Sequence, residues 1–196
     1  MPQLTQIKET KKGRMALFFD GEFAFSLDAD TFAKADLHEE DLLEEWQIED
    51  LRKQSDTRRA LDKAMDYLSL RDHAAGELYQ KLCRKFDEHS AAYAVARAGE
   101  LGLLNDADFA RRRAAELLRK RKSRREILLD LTAKGIDRDT AAEADEGEDP
   151  ELANARALVE RHYAAKLAAG KRDQVAAALA RRGFSHSVIR AALAED

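Results

Sequence analysis

The sequence predicts a mainly α protein: tandem three-helix repeats forming an elongated, curved molecule, with a small N-terminal β-hairpin extension. Three observations point there. A helix-stop pattern of Leu, basic residue, Gly and bulky apolar residue occurs twice, 48 residues apart, in LTAKGIDRDTAAEA (131–144) and LARRGFSHSVIRAA (179–192). Apolar residues make up 44% of the chain and charged residues 37%, with only two prolines and nine glycines, a composition suited to amphipathic helices joined by short turns. One short stretch, RMALFFDGEFAFSL (14–27), instead alternates apolar residues around Asp20-Gly21, the pair favoured by a type I′ hairpin turn.

The elements follow in chain order. LTQIK (4–8) is predicted to add a third strand to the hairpin. A two-residue turn at Asp20-Gly21 would pair Phe18 with Phe23 and Ala16 with Phe25 on one face. Leu17, Phe19 and Ala24 would lie on the other. An aromatic face of this kind can stack nucleobases, but Phe18, Phe23 and Phe25 more simply form a small core against a helix.

Helices are expected at about 57–70 (Leu61, Met65, Leu68), 107–120 (Phe109, Leu117, Leu118) and 151–168 (Leu152, Leu158, Val159, Tyr163). Each precedes a helix-turn-helix joint. In SRREILLDLTAKGID (123–137), Ser123 and Glu126 form an S-x-x-E capping box. Ile127 and Leu131 share a face, Gly135 supplies the left-handed stop, and Asp137 caps the next helix. KRDQVAAALARRGFS (171–185) repeats this with Val175, Leu179, Gly183, Phe184 and Ser185. HAAGELYQKLCRKFD (73–87) is a third copy, with Leu78 and Leu82 placed 49 residues before Ile127 and Leu131. It is one residue shorter and has no turn glycine, so its joint must close differently. The expected divisions are a β-hairpin and helical extension (1–50) and helical repeats at 51–105, 106–147 and 148–196, with a joint near Gly147 and Pro150.

Charge is segregated behind a net value of −4. Residues 36–50 hold eight acids and no Lys or Arg, and residues 137–151 hold eight acids against Arg138 alone. Residues 111–125 hold nine bases against Glu116. Arg112, Arg119 and Lys122 fall near one helical stripe, able to meet phosphate or an acidic protein surface. A solvated face balanced by the acidic segments is the alternative.

Catalytic chemistry finds no constellation. His38, His73, His89, His162 and His186 form no H-x-x-x-H pair, and Cys83 stands alone, so no metal site, cofactor or intrachain disulfide is expected. His73 reads as a cap or packing residue. No glycines assemble into a phosphate loop. The KGI and RGF turns are similar to the helix-hairpin-helix DNA motif but lack its second glycine. No apolar run approaches the ~20 residues of a membrane span, and the N-terminus lacks a signal core, so a cytoplasmic protein without membrane partners is expected.

LSLRDHAAGELYQKL (68–82), GLLNDADFARRRAAE (102–116) and SRREILLDLTAKGID (123–137) resemble the signature blocks of the RecX family, regulators of the RecA recombinase. The resemblance runs from about residue 57 to 196, with the third repeat its loosest part. DGEFAFSL resembles an extension present in some members. It implies a non-enzymatic, monomeric regulator of recombination, DNA repair and the SOS response. Such a protein lodges in the groove of the RecA filament on single-stranded DNA, suppresses ATP hydrolysis, strand exchange and coprotease activity, and promotes disassembly. Arg111, Arg112, Arg113, Arg119, Lys120, Arg121, Arg124 and Arg125 would then face RecA or single- or double-stranded DNA. Two other readings are carried forward: a repeat protein that binds DNA directly, and an enzyme of a kind the motifs do not disclose.

Overall fold

The computed structural model describes residues 1–144 and 150–194, so the joint expected at Gly147 lies outside the described residues. The chain divides into two compact units, Met1–Arg71 with Leu78–Leu103, and Asp72–Glu77 with Leu104–Asp196.

The first unit opens with an antiparallel sheet of β1 (Leu4–Glu9), β2 (Met15–Phe19) and β3 (Glu22–Leu27), in that order. Asp20 and Gly21 have φ of 50° and 85°, the double positive φ of a type I′ turn, and Phe18 pairs with Phe23 as expected. The next step departs from the expectation: Phe25 pairs with Leu17 rather than Ala16, because Ala24 is an extra residue in a β-bulge. One added residue reverses the faces. Leu17, Phe19, Phe25 and Leu27 are buried, while Phe23 is 60% exposed, so the core forms on the face opposite to the Phe18–Phe23 pair. Leu4, Leu43 and Leu51 complete this core.

A short helix, α1 (Ala29–Ala35), follows; Asp28 caps it by accepting from Thr31 N. Next, α2 (Glu45–Leu70) starts twelve residues before the expected position of 57. Glu44, Glu45, Glu49 and Asp50 lie at its N-terminus, where the helix dipole favours carboxylates. Glu44 N also donates to Gln47 Oε1 at 2.8 Å. The second half of the acidic run is therefore a helix start. Arg14 ties the sheet to α2: its guanidinium donates to Ser26 O at 2.7 Å and to Ser55 Oγ at 3.2 Å, and Ser55 Oγ donates to Ser26 O.

Along α2 the buried stripe is Ala60 and Ala64, not the larger Leu61, Met65 and Leu68; Met65 is 40% exposed. Helix α2 packs on α4 (Glu88–Glu100), whose Ala91, Ala94 and Ala98 are likewise fully buried, and small side chains let two backbones approach closely. Between them lies α3 (Ala75–Leu82), whose Leu78 and Leu82 are fully buried. Its glycine-free joint closes on one carbonyl, Leu82 O, which accepts from Lys85 N and Phe86 N at 2.9 and 3.0 Å. Asp87 then caps α4, accepting from Ser90 N.

In the second unit, α5 (Asp106–Arg119), α6 (Arg124–Ala133) and α7 (Arg138–Glu143) enclose a core of Ala110, Ala114, Leu117, Ile127, Leu131 and Ile136. The joint behaves as its sequence requires: Gly135 has φ of 82°, Ile136 N donates to Leu131 O, and Asp137 accepts from Thr140 N. Helices α8 (Pro150–Ala168), α9 (Arg172–Arg181) and α10 (His186–Leu193) repeat the plan around Leu158, Val175, Leu179, Phe184 and Ile189. Gly183 has φ of 86° and Ser185 caps α10.

Repeats within this unit are joined by one recurring contact. Gly135 lies against Gly76 in the first turn of α3, so close that a Cβ on Gly76 would come within 2.6 Å of the Gly135 Cα. One repeat later, Gly183 lies over Ser123 and Arg125 at the start of α6. A carboxylate from the first turn of a long helix accompanies each contact. Asp106 accepts from Ala75 N at 2.9 Å, and Glu151, 5% exposed, accepts from Arg124 N at 3.2 Å. Buried Ser123 does double duty, accepting from Glu126 N and donating to Arg182 O at 2.8 Å. Ser123→Ala should therefore lower stability by roughly 2 kcal/mol, a lost cap together with an orphaned carbonyl, read as a lower urea midpoint at unchanged slope.

Candidate interaction face on the second repeat

The eight sequence-selected basic residues all lie on α5, α6 and the turn between them, but the structure sorts them into distinct environments. Arg113 is half-buried and clamps α5 to α6: its Nε and Nη2 donate to both Asp130 oxygens at 2.8 Å, and Nη1 donates to Glu116. This bidentate geometry is that of a structural fork. The Arg113 hydrogen bonds hold the Asp130 carboxyl below its ordinary range. That pair stabilises the fold fully above about pH 4, the unfolded carboxyl range, and the contribution is lost as pH falls through the lowered native value. Asp130→Asn should cost about 1–3 kcal/mol at neutral pH, and its thermal midpoint should fall less steeply than the parent's between pH 4 and pH 2.

Arg111 reaches Asp108 at 3.6 Å, while Arg112 pairs with Asp108 and Asp72, and Lys120 with Glu116. These exposed pairs contribute little to stability. Their carboxylates lie outside the acidic segments 36–50 and 137–151, so the pairing of these side chains is local. Among the described residues no carboxylate pairs with the side chains of Arg119, Arg121 or Arg125.

Two local features run against residue preference here. Arg121 occupies the left-handed region at φ of 57°, which costs a non-glycine residue roughly 1 kcal/mol. Arg124 and Arg125 place cations in the first turn of α6, at the positive end of its dipole. Such conflicts between local preference and fold collect at functional surfaces. Beside them, Leu128 and Leu129 are 38% and 58% exposed. Four-residue spacing puts Leu128 next to Arg124 and Leu129 next to Arg125 on α6.

The charge count found the arginines but took no account of these leucines. The signal was present: Ile127 and Leu131 already fill the buried stripe, which leaves 128 and 129 on the outer face. His73 is buried at 4% exposure, ahead of α3 rather than within it. Among the described residues no group of three His, Cys, Asp or Glu side chains could hold a metal ion, and no helix is long and apolar enough to cross a membrane.

Comparison with known proteins gives one consistent result. The family profiles for the first and second three-helix domains of RecX match residues 60–97 and 105–144. Regulatory protein RecX of Bacillus licheniformis is 30% identical over all of this chain and 78% of its own length. The protein of the same name from Bacillus velezensis is 29% identical over 98% of this chain and 77% of its own length. A crystal structure of regulatory protein RecX superposes with a TM-score of 0.70 at 21% identity, covering 96% of this chain and 97% of that one. RecX from Lactobacillus salivarius superposes with a TM-score of 0.63 at 22% identity, over 70% of this chain and 94% of its own.

Proposed function

Because the chain belongs to the RecX family, we propose that it regulates the RecA recombinase by binding in the groove of the RecA filament on single-stranded DNA. Bound there, it suppresses ATP hydrolysis, strand exchange and coprotease activity and promotes filament disassembly. Repeated units suit a polymeric partner, because linked weak contacts to successive subunits add their free energies. No cofactor is required, and the protein acts as a cytoplasmic monomer.

The observation that carries this reading is the α6 face on which exposed Leu128 and Leu129 alternate with Arg124 and Arg125. DNA phosphates offer nothing to a pair of leucines. A protein surface that combines an apolar patch with carboxylates satisfies both, and desolvated arginine beside apolar side chains is a frequent composition of interface hot spots. Arg111, Arg112, Arg119, Lys120 and Arg121 extend the same charge toward acidic RecA surface. Arg113, held by Asp130, contributes by positioning α5 against α6.

The second reading, direct DNA binding, rests on Arg119, Arg121 and Arg125, which have no carboxylate partner among the described residues, and a leucine substitution separates the two. Leu128→Ser combined with Leu129→Ser should weaken inhibition of RecA ATP hydrolysis by about tenfold, with circular dichroism and duplex DNA affinity unchanged. Full inhibition by this variant would take the leucine face out of the contact and favour the DNA reading.

A further inference from the structure

We propose that the N-terminal unit carries a separate binding cleft for single-stranded nucleic acid, between the outer edge of β3, α2 and the α3–α4 joint. This goes beyond the filament reading and does not rest on it. The cleft encloses about 780 Å³ and is lined by Phe23 and Phe86 together with Lys12, Arg59, Lys63 and Lys85.

Three observations point to a stacked, anionic and extended occupant. First, the bulge at Ala24 turns Phe23 out of the sheet core. Phe23 stands 60% exposed, edge-on to Phe18 at 5.7 Å between ring centroids, a large planar group that contributes nothing to the hydrophobic core. Second, a cation accompanies the second aromatic of the lining. The Arg59 guanidinium lies 5.7 Å from the Phe86 ring centroid. Aromatic faces for bases beside cations for phosphates are the two components of a sequence-tolerant single-strand site.

Third, the charge is net positive and in part uncommitted. Six bases line the cleft against three acids, Asp28, Asp62 and Asp66. Each of these acids is engaged: Asp28 caps α1, Asp62 pairs with Arg58 at 3.4 Å, and Asp66 pairs with Lys63 at 3.0 Å. Arg59 also pairs with Asp56. Lys12 and Lys85 are exposed with no carboxylate partner among the described residues.

An acidic peptide added to the edge of β3 is the competing occupant, and the edge itself argues against it. Ser26 O already accepts from Arg14 Nη2 and Ser55 Oγ, and the Ala24 bulge breaks the ladder register that an added strand would need. Double-stranded DNA fits no better, since its stacked bases cannot reach Phe23.

The test is fluorescence anisotropy of the full chain with a labelled thirty-nucleotide oligo-dT across a salt series. Phe23→Ala combined with Lys85→Glu should weaken binding at least about tenfold, and each lysine reversed should reduce the log–log salt slope by roughly 0.7. Both side chains are exposed, so circular dichroism should be unchanged. If the double variant misfolds, Phe23→Trp in a Trp46→Phe background reads the same contact directly, and oligo-dT should quench its emission. Four results would overturn the proposal: unchanged affinity in the folded double variant, no quenching, loss of binding only on reversal of Arg119 and Arg125, or displacement of the oligonucleotide by polyglutamate as readily as by unlabelled oligo-dT.

Discussion

Gly76→Ala is expected to destabilise the protein by about 2 kcal/mol or more, although helix propensity alone gives the opposite sign. Gly76 sits in the first turn of α3 with ordinary helical geometry, where alanine commonly gains up to about 1 kcal/mol. The added Cβ would stand 2.6 Å from the Gly135 Cα and 3.0 Å from Lys134 O, both backbone atoms that cannot swing aside. Opening the contact far enough to admit a methyl group should cost roughly 1–3 kcal/mol beyond any propensity gain. Gly135→Ala should cost more, about 3 kcal/mol, because it meets the same contact from the other side and adds a left-handed penalty at φ of 82°.

Gly170→Ala is the matched control. It has φ of 69° but no neighbouring atom within 4 Å, so it should show the conformational cost alone. For a chain of this size, thermal midpoints should fall by roughly 6–12 °C for Gly135→Ala and by a few degrees for Gly170→Ala. Gly76→Ala as stable as the parent would mean that the two turns do not pack as described.

Arg119→Glu combined with Arg125→Glu is expected to reduce inhibition of RecA by more than tenfold while leaving the thermal midpoint within a few degrees of the parent. Neither side chain has a carboxylate partner among the described residues, so reversal breaks no ion pair in the fold. Arg125 lies at the positive end of the α6 dipole, where glutamate is the favoured charge, and its replacement should stabilise α6 by a few tenths of a kcal/mol. Loss of function with stability kept or raised is the signature of a surface maintained against the preference of its own helix. Reversal of Arg113 would give no such separation, because its bond to Asp130 holds α5 on α6. Unchanged inhibition by the double reversal would remove the basic face from the mechanism.

Much of the helical plan was legible because helix ends are encoded locally. Ser123 with Glu126, Gly135 with Asp137, and Gly183 with Ser185 each specify a cap or a stop by the chemistry of one or two side chains, and the structure uses every one. Contacts set by spatial approach were harder to read. The alanine stripe of α2 and α4 carries no hydrophobic weight that competes with Leu61 or Met65, yet small size is what closes that interface. Gly76 looked like an ordinary helix glycine, since the neighbour that requires it lies 59 positions away in sequence. The hairpin register depended on a single inserted residue: alternation fixes a face only while pairing stays continuous, and the bulge at Ala24 exchanged the two faces. At the candidate interaction face, charge density was visible in the sequence. Its division into the structural Arg113, the locally paired Arg111, Arg112 and Lys120, and Arg119, Arg121 and Arg125, without a carboxylate partner among the described residues, depended on where Asp72, Asp108, Glu116 and Asp130 fall in space.

The most direct test of the central claim is the rate of ATP hydrolysis by RecA preassembled on single-stranded DNA, measured with and without a substoichiometric amount of this protein. The protein's affinity for free DNA is recorded in parallel at the same salt. A steep loss of hydrolysis at concentrations where little free DNA is bound is the result that the proposed filament binding predicts, since one molecule bound there would affect many subunits. Unchanged hydrolysis beside tight, strongly salt-dependent DNA binding would contradict the account and leave a DNA-binding repeat protein in its place.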